Sequence, residues 1–425
     1  MRLIEGVRRS RAGRIGVAAV AAVLVAELAV FAMRPRQQLD SAAVPATEVA
    51  PAGQIERAED YRSAQRRIAW VVLAIDGGLL VLIALGRPAP VGRLLRRAGS
   101  RPLLGAAAAG AAISVTLSLA GLPLAALAHE RARDVGLATQ SLAPWLADRG
   151  KAVAIGAGLT AVGAALGIAI IRRFGRHWWL PASGAIAAIA VVFSWLAPVI
   201  LDPVFNDFRP VRDTRLRTEV RSLADRAGVT VGDVLEVDAS RRSTALNAYV
   251  GGIGSTKRVV LYDTTLDGLE RRQLQAIVAH ELAHQRHHDI PRGLLWLAIV
   301  TPLGVVFVRE AATALAEHRG IELGSPAGVS ALALPLAIAI VVLTVPGNQL
   351  SRAVEARADV TALAITDDPQ AQIDLQERLV RRNVSEPDPP SLPHLLFGTH
   401  PTAVERIGQS RAWARGERPA TDPLD

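Results

Sequence analysis

The chain has 425 residues, half of them hydrophobic, a net charge of +9 and no cysteine. Its mean hydropathy of +0.27 is high for a water-soluble chain of this length. Without cysteine there are no disulfides, iron–sulfur clusters, cysteine nucleophiles or thiolate zinc sites, so any metal must be held by His, Asp or Glu. The basic residues sit in short segments beside apolar blocks, not on a polar face with stacking aromatics, which excludes a nucleic-acid partner and fits membrane flanks.

In chain order, apolar runs occupy about 14–33, 69–86, 102–128, 152–171, 178–201, 292–308 and 329–346. Each is near the ~20 residues a helix needs to cross a bilayer. The first has the basic start of a signal peptide, but six further runs favour an anchor. Two of the runs carry an acid, Glu27 and Asp76. Acids at such depth are expected to face a protein interior or a water-filled space. The reading divides the chain into five spans with loops (1–201), a catalytic segment (202–291), a two-span hairpin (292–346), a second catalytic segment (347–410) and a disordered tail (411–425).

The segment 202–291 opens with a helix in "DTRLRTEVRSLADRAGV" and a strand in "DVLEVDAS". "TALNAYVGG" and "KRVVLYD" then read as an antiparallel hairpin around "GGIGST". A helix follows in "LDGLERRQLQAIVAHELAHQRHHD", with Asp267 and Glu270 as a capping-box-like start and Leu274, Ile277, Val278 and Leu282 as its buried stripe. After the last span come a helix over about 348–366, a polar helix, the proline-rich "EPDPPSLP", and "FGTHPTAVERIG".

The chemistry concentrates in H-E-L-A-H, residues 280–284. Helical positions four apart share a face, so His280 and His284 can both turn an imidazole to one ion. Glu281 follows the first histidine and can reach a water on that ion. Zinc suits imidazole and carboxylate ligands and, in catalytic sites, keeps one position for water, whose pKa it lowers to about 7. Glu281 is placed to take that proton and pass it to a leaving amine. His287 and His288 do not fit as the third ligand. They stand seven and eight residues past His280, about 10–12 Å along the axis, and read as solvated or at the lipid headgroups. Glu355, in "SRAVEARAD", is the better candidate, because a hairpin of two spans brings the chain back to its starting side. Asp359, one turn on, can hold a ligand imidazole by its other ring nitrogen.

These residues resemble the CAAX prenyl protease family of integral-membrane zinc endopeptidases, which is related to the heat-shock-type membrane metalloproteases. The likeness runs from about residue 100 to 410. It rests on H-E-L-A-H, two spans, "SRAVEARAD" and "THPTAVERI" in that order, on "STALNAYVGGIGSTKRVVLYDTTL" before them, and on "ERARDVGLATQSLAPWLADRGKA" and "PVFNDF" upstream. The resemblance implies a mainly α fold: seven transmembrane helices around a chamber, capped by a zincin-like α+β catalytic domain. It implies one zinc ion on His280, His284 and Glu355, Glu281 as general base and Asp359 as the second carboxylate. His400 and Arg406 match positions thought to steady the oxyanion or the substrate carbonyl. Asn247, with Ala248 and Tyr249, matches a substrate-facing strand, where a peptide can add by β-augmentation. The implied partners are a peptide or membrane-protein substrate and the lipid bilayer.

Two points stay open on the sequence alone. The family's best-known members keep the catalytic domain in the cytosol. Here the N-terminus and the loops after spans two and four are arginine-dense, which by the positive-inside rule sends the metal domain outside. The rival functions are a site-2-type intramembrane metalloprotease, for which "LDG" at Leu266 to Gly268 is a partial match, and a catalytically dead membrane scaffold or transporter. The polar "ERRQLQ" in the histidine helix argues against the first, and the intact Glu281 against the second.

Overall fold

The computed structural model describes residues 10–39, 42–86, 101–251 and 257–424. Most of the glycine-rich turn "GGIGST", the start of the basic N-terminus and most of the arginine loop after the second span lie outside the described residues. Among the described residues, seven helices are long and apolar enough to cross a membrane. They are α1 (Arg11–Met33), α2 (Ala52–Leu85), α3 (Pro102–Asp134), α4 (Leu142–Phe174) and α5 (Trp179–Ile200), then α8 (Asp289–Arg319) and α9 (Gly328–Thr366) after the intervening domain. Large apolar side chains point outward from them, Phe31 at 85% and Val162 at 68% exposure. Lipid tails are as apolar as these side chains, so a bilayer stabilises an arrangement that water would not. The protein is an integral, multi-pass membrane protein.

Small residues set how closely the helices approach. Gly110 of α3 faces α4 so tightly that a Cβ there would stand 2.7 Å from the Thr160 carbonyl oxygen and the Ala164 methyl. On α1, the buried Ala18, Ala22, Ala26 and Ala29 form a one-sided stripe, and Ala26 and Ala29 pack with Val300 of α8. Arg14 at the start of α1 meets Glu310 near the end of α8 at 3.0 Å, so the two helices run antiparallel.

Between α5 and α8 lies an α+β domain. Its sheet holds β1 (Phe208–Pro210), β2 (Asp233–Val237), β3 (Ala248–Gly251) and β4 (Arg258–Tyr262) in the order β1-β2-β4-β3. β2 and β4 are parallel, and the predicted hairpin β3–β4 is antiparallel, which leaves β3 at the edge. Helices α6 (Thr214–Arg226) and α7 (Arg271–Arg286) pack on this sheet through Leu216, Val220, Leu223, Leu274, Val278 and Leu282. The C-terminal part adds α10 (Pro369–Arg382), α11 (Ser391–Phe397) and α12 (Ala403–Ala414).

Four expectations need correction. Span seven and the helix over 348–366 are one rod, α9, uninterrupted at Pro346 and Gly347. At 39 residues and ~1.5 Å per residue it carries the chain out of the membrane without a joint, so a boundary at 346 has no structural counterpart. Likewise α8 begins at Asp289, not after a boundary at 291. The capping box of α7 is Glu270 with Gln273, whose side chain accepts from the Glu270 N–H at 3.0 Å. Asp267 belongs to a separate short helix, Asp263–Gly268. Finally, the described part of the tail, residues 411–424, is ordered. Residues 411–414 finish α12, Trp413 is buried under the Arg418 guanidinium, and the Pro423 carbonyl accepts from Thr361 at 3.2 Å.

Candidate metal centre

Helix α7 is apolar on the side that meets the sheet, and this fixes the direction of its other face. His280 and His284, one turn apart, look towards α9, with ring centroids 4.9 Å apart and planes at 87°. The α8–α9 hairpin returns Glu355 to them. His280 Nε2 lies 3.1 Å from Glu355 Oε2 and 3.2 Å from His284 Nε2, and His284 Nε2 lies 3.6 Å from Glu355 Oε1. Atoms arranged tetrahedrally at ~2.0–2.1 Å from one zinc ion stand about 3.3 Å from each other. The donor set, two imidazoles and a carboxylate, is therefore spaced and chemically suited to hold zinc. Among the described residues it is the one group of three or more such side chains able to share an ion.

Each imidazole is backed by a carboxylate at its other nitrogen. His280 Nδ1 is 2.9 Å from Asp359 Oδ1, a close contact whose angle is poor for a hydrogen bond. Asp359, 1% exposed, accepts from Arg406 Nε at 2.7 Å, from Arg406 Nη2 at 2.6 Å and from Gln372 Nε2 at 3.1 Å. His284 Nδ1 is 3.0 Å from Asp289 Oδ2. Burial would lower the basicity of both imidazoles. The carboxylates around them outweigh it, Asp359 and Glu355 raising His280 to about 9, and Asp289 and Glu355 raising His284 to about 10. Burial pushes the Glu281 carboxyl above the ordinary range.

The other expected site residues divide. Glu281 lines a cavity of about 480 Å³ with His284, Glu355, Val250, Trp296 and Leu350. His400 stands at the rim of the centre. Its Nε2 is 3.3 Å from Glu355 Oε2, its Nδ1 is 2.8 Å from Thr399 Oγ1, and its side chain is half exposed. Arg406 is brought in, but its guanidinium spends two hydrogen bonds on Asp359. Asn247 lies just before the edge strand. Its N–H donates to Thr265 Oγ1 at 2.8 Å, and the Thr265 hydroxyl donates to its carbonyl at 2.7 Å. Ala248, the first residue of β3, is buried in the core. Tyr249 turns away, donating to Asp202 at 3.1 Å beside a separate cavity of about 300 Å³. His287 is not solvated as expected: it is half-buried, its Nε2 meets Thr361 Oγ1 at 3.0 Å, and burial lowers its pKa to about 4. Glu27 accepts from Gln349 at 3.0 Å, a partner no spacing rule could name. "LDG" sits in the short helix before α7, where the Gly268 carbonyl accepts from Arg378, and takes no part in the centre.

Sequence reasoning missed Asp289, Arg357 and Gln372. It also missed how the run leading into the edge strand is held from two sides. The loop after α3 pairs with the run before β3, through Thr139 N to the Arg242 carbonyl (3.1 Å) and Thr244 N to the Leu137 carbonyl (3.0 Å). The Asn383 side chain accepts from Leu246 N at 2.8 Å and donates to its carbonyl at 3.2 Å.

Two family models divide most of the chain between them: "CAAX prenyl protease N-terminal, five membrane helices" over residues 37–207 and "Peptidase family M48" over residues 210–414. The chain is 28% identical over 376 residues to the uncharacterized metalloprotease YhfN of Bacillus subtilis, an alignment covering 86% of this chain and 88% of that protein. It is 36% identical over 104 residues to CAAX prenyl protease 1 of Saccharomyces cerevisiae, covering 24% of this chain and 23% of the yeast protein. The crystal structure of S. mikatae Ste24p has the same fold, with a TM-score of 0.69 and 20% identity over 93% of this chain and 98% of that one.

Proposed function

The chain belongs to the CAAX prenyl protease-like membrane metalloproteases of peptidase family M48, and from that premise we propose that it is a zinc endopeptidase cleaving peptide segments at the membrane boundary. The observation that carries the reading is the convergence of His280, His284 and Glu355 beside Glu281, at a cavity that runs between α7 and the outer ends of α8 and α9.

Zinc held by those three residues would supply Lewis acidity, polarising the scissile carbonyl and making water acidic enough to be deprotonated near neutral pH. Glu281 takes the proton from the attacking water and delivers it to the leaving amine. Its raised pKa suits a group that must both accept and return a proton. His400, on the rim, is within reach of a substrate carbonyl seated against Glu355. The edge position of β3 supports docking of an extended peptide alongside Asn247 and Ala248. The substrate class this reading assigns is an extended peptide or the flank of a membrane protein.

The alternative of an intramembrane site-2-type protease is disfavoured by α7, which packs on a sheet and is not among the seven apolar helices. The dead-scaffold alternative is disfavoured by Glu281. The test is a quenched peptide or casein assay on purified protein. Glu281→Gln should keep zinc and lose 10²–10⁴-fold in rate, the usual contribution of a general base. Full activity in that variant refutes the mechanism.

A further inference from the structure

His284 is steadied from an unexpected direction. Asp289, whose Oδ2 faces His284 Nδ1 at 3.0 Å, is the first residue of the membrane helix α8. In an unbroken helix, residue 289 would stand about 140° around the axis and ~7.5 Å beyond His284, out of reach of its ring. His288 breaks the helix by adopting the left-handed conformation, φ 53° and ψ 47°. That conformation is sterically disfavoured for any L residue and is kept where surrounding structure over-determines it. The break folds the chain back so that the residue after it meets the imidazole one turn before it.

The carboxylate is itself anchored. Asp289 Oδ1 accepts from Arg292 Nη1 at 3.0 Å and pairs with Arg357, whose side chain is 2% exposed. Arg357 lies on α9 two residues past Glu355. The group that orients one ligand is thus tied to the helix that supplies another, and both helices continue into the membrane.

We propose that Asp289 is a positioning residue for the metal centre. It accepts the Nδ1–H of His284, so that Nε2 is held towards the ion, and it makes the alignment of that ligand depend on the packing of α8 against α9. The inference rests on the zinc reading above. Carboxylates behind ligand histidines typically contribute 10–100-fold to metal affinity.

The test is zinc affinity of the purified full-length chain, measured by competition with a chromophoric chelator, with the visible spectrum of the cobalt-loaded protein as a second readout. Asp289→Ala should weaken zinc 10–100-fold and alter the cobalt bands. Asp289→Asn, which keeps an acceptor of the same shape, should recover most of that loss. His288→Gly, which favours the same backbone conformation, should bind zinc like the unaltered chain. An Asp289→Ala protein that is less heat-stable yet binds zinc with unchanged affinity would overturn the proposal and leave Asp289 a structural ion-pair partner. An unaltered chain that takes up no zinc would instead overturn the functional reading, and this inference with it.

Discussion

Replacing Arg406 by methionine separates two roles for its guanidinium. The structure gives it to Asp359, through bonds of 2.7 and 2.6 Å to a carboxylate that is 1% exposed; the family resemblance gives it to the substrate. With Arg406 removed, Asp359 keeps only Gln372 at 3.1 Å and the edge of His280. Stranding a buried charge in this way costs about 3–5 kcal/mol, a large part of the ~5–15 kcal/mol that stabilises a typical domain. Pairing Arg406→Met with Asp359→Asn removes the stranded charge, and the double variant should recover ~1–3 kcal/mol relative to the sum of the single ones. Arg406→Lys should rescue little, because an ammonium cannot make the two-pronged contact. The assay is denaturation in detergent followed by tryptophan fluorescence, with zinc content and peptide cleavage measured on the same samples. An Arg406→Met protein that unfolds like the unaltered chain but cleaves a hundredfold more slowly would refute the structural account and return Arg406 to the substrate.

Three further outcomes are expected. Val384 occupies the left-handed conformation after α10 (φ 46°), which costs a β-branched residue about 1–2 kcal/mol; after the extra chain entropy of glycine, Val384→Gly should stabilise by up to ~1 kcal/mol, and a lower melting temperature would contradict this. Asp359 and Glu355 raise the metal-free imidazole of His280, and Asp289 and Glu355 that of His284, above the ordinary ~6.5. The stability their protonation gives the metal-free fold is therefore full below about pH 6.5 and is lost as pH rises from there through the raised folded-state values. Zinc uptake must displace those protons, so chelator competition should show affinity rising roughly tenfold per pH unit for each proton released, and a flat profile between pH 6 and 8 would exclude the protonated pair. Sidedness can be read directly because the chain has no native cysteine. Arg172, bonded to the Gly324 carbonyl, and Arg319, bonded to the Ile83 carbonyl, place the ends of α2 and α4 from which the arginine-dense loops leave beside the α8–α9 turn, away from the metal centre. An impermeant maleimide applied to intact cells should therefore label Arg209→Cys, on the catalytic side, and not His177→Cys; the reverse pattern would place the metal domain in the cytosol.

The first span matters to that last prediction, and it shows where sequence and structure divide. Its apolar run and basic start taken alone are also those of a cleaved leader, and only the six further runs favour an anchor in the sequence. Only the packing of Ala26 and Ala29 on Val300, with Arg14 against Glu310, makes it a member of the bundle. The same holds at the metal centre. The spacing of His280, Glu281 and His284 is a statement about one helix, and the return of Glu355 follows from counting two crossings, so both were legible from residue types and chain order.

Asp289 was not legible, because its contact with His284 depends on a single left-handed residue, His288, and no hydrophobic period records a backbone dihedral. Nor were Arg406 on Asp359, Gln372 beside it, or Asn383 on Leu246, pairs that join segments 13 to 137 residues apart. Here the sequence determined what repeats locally: the apolar lengths, the helical face of the histidines, the alternating strands of the hairpin. Tertiary structure decided the carboxylates and guanidiniums behind the ligands. Burial cost forces each such charge to find a partner, and which partner it finds is set by how whole helices pack, a property that no short stretch of chain contains.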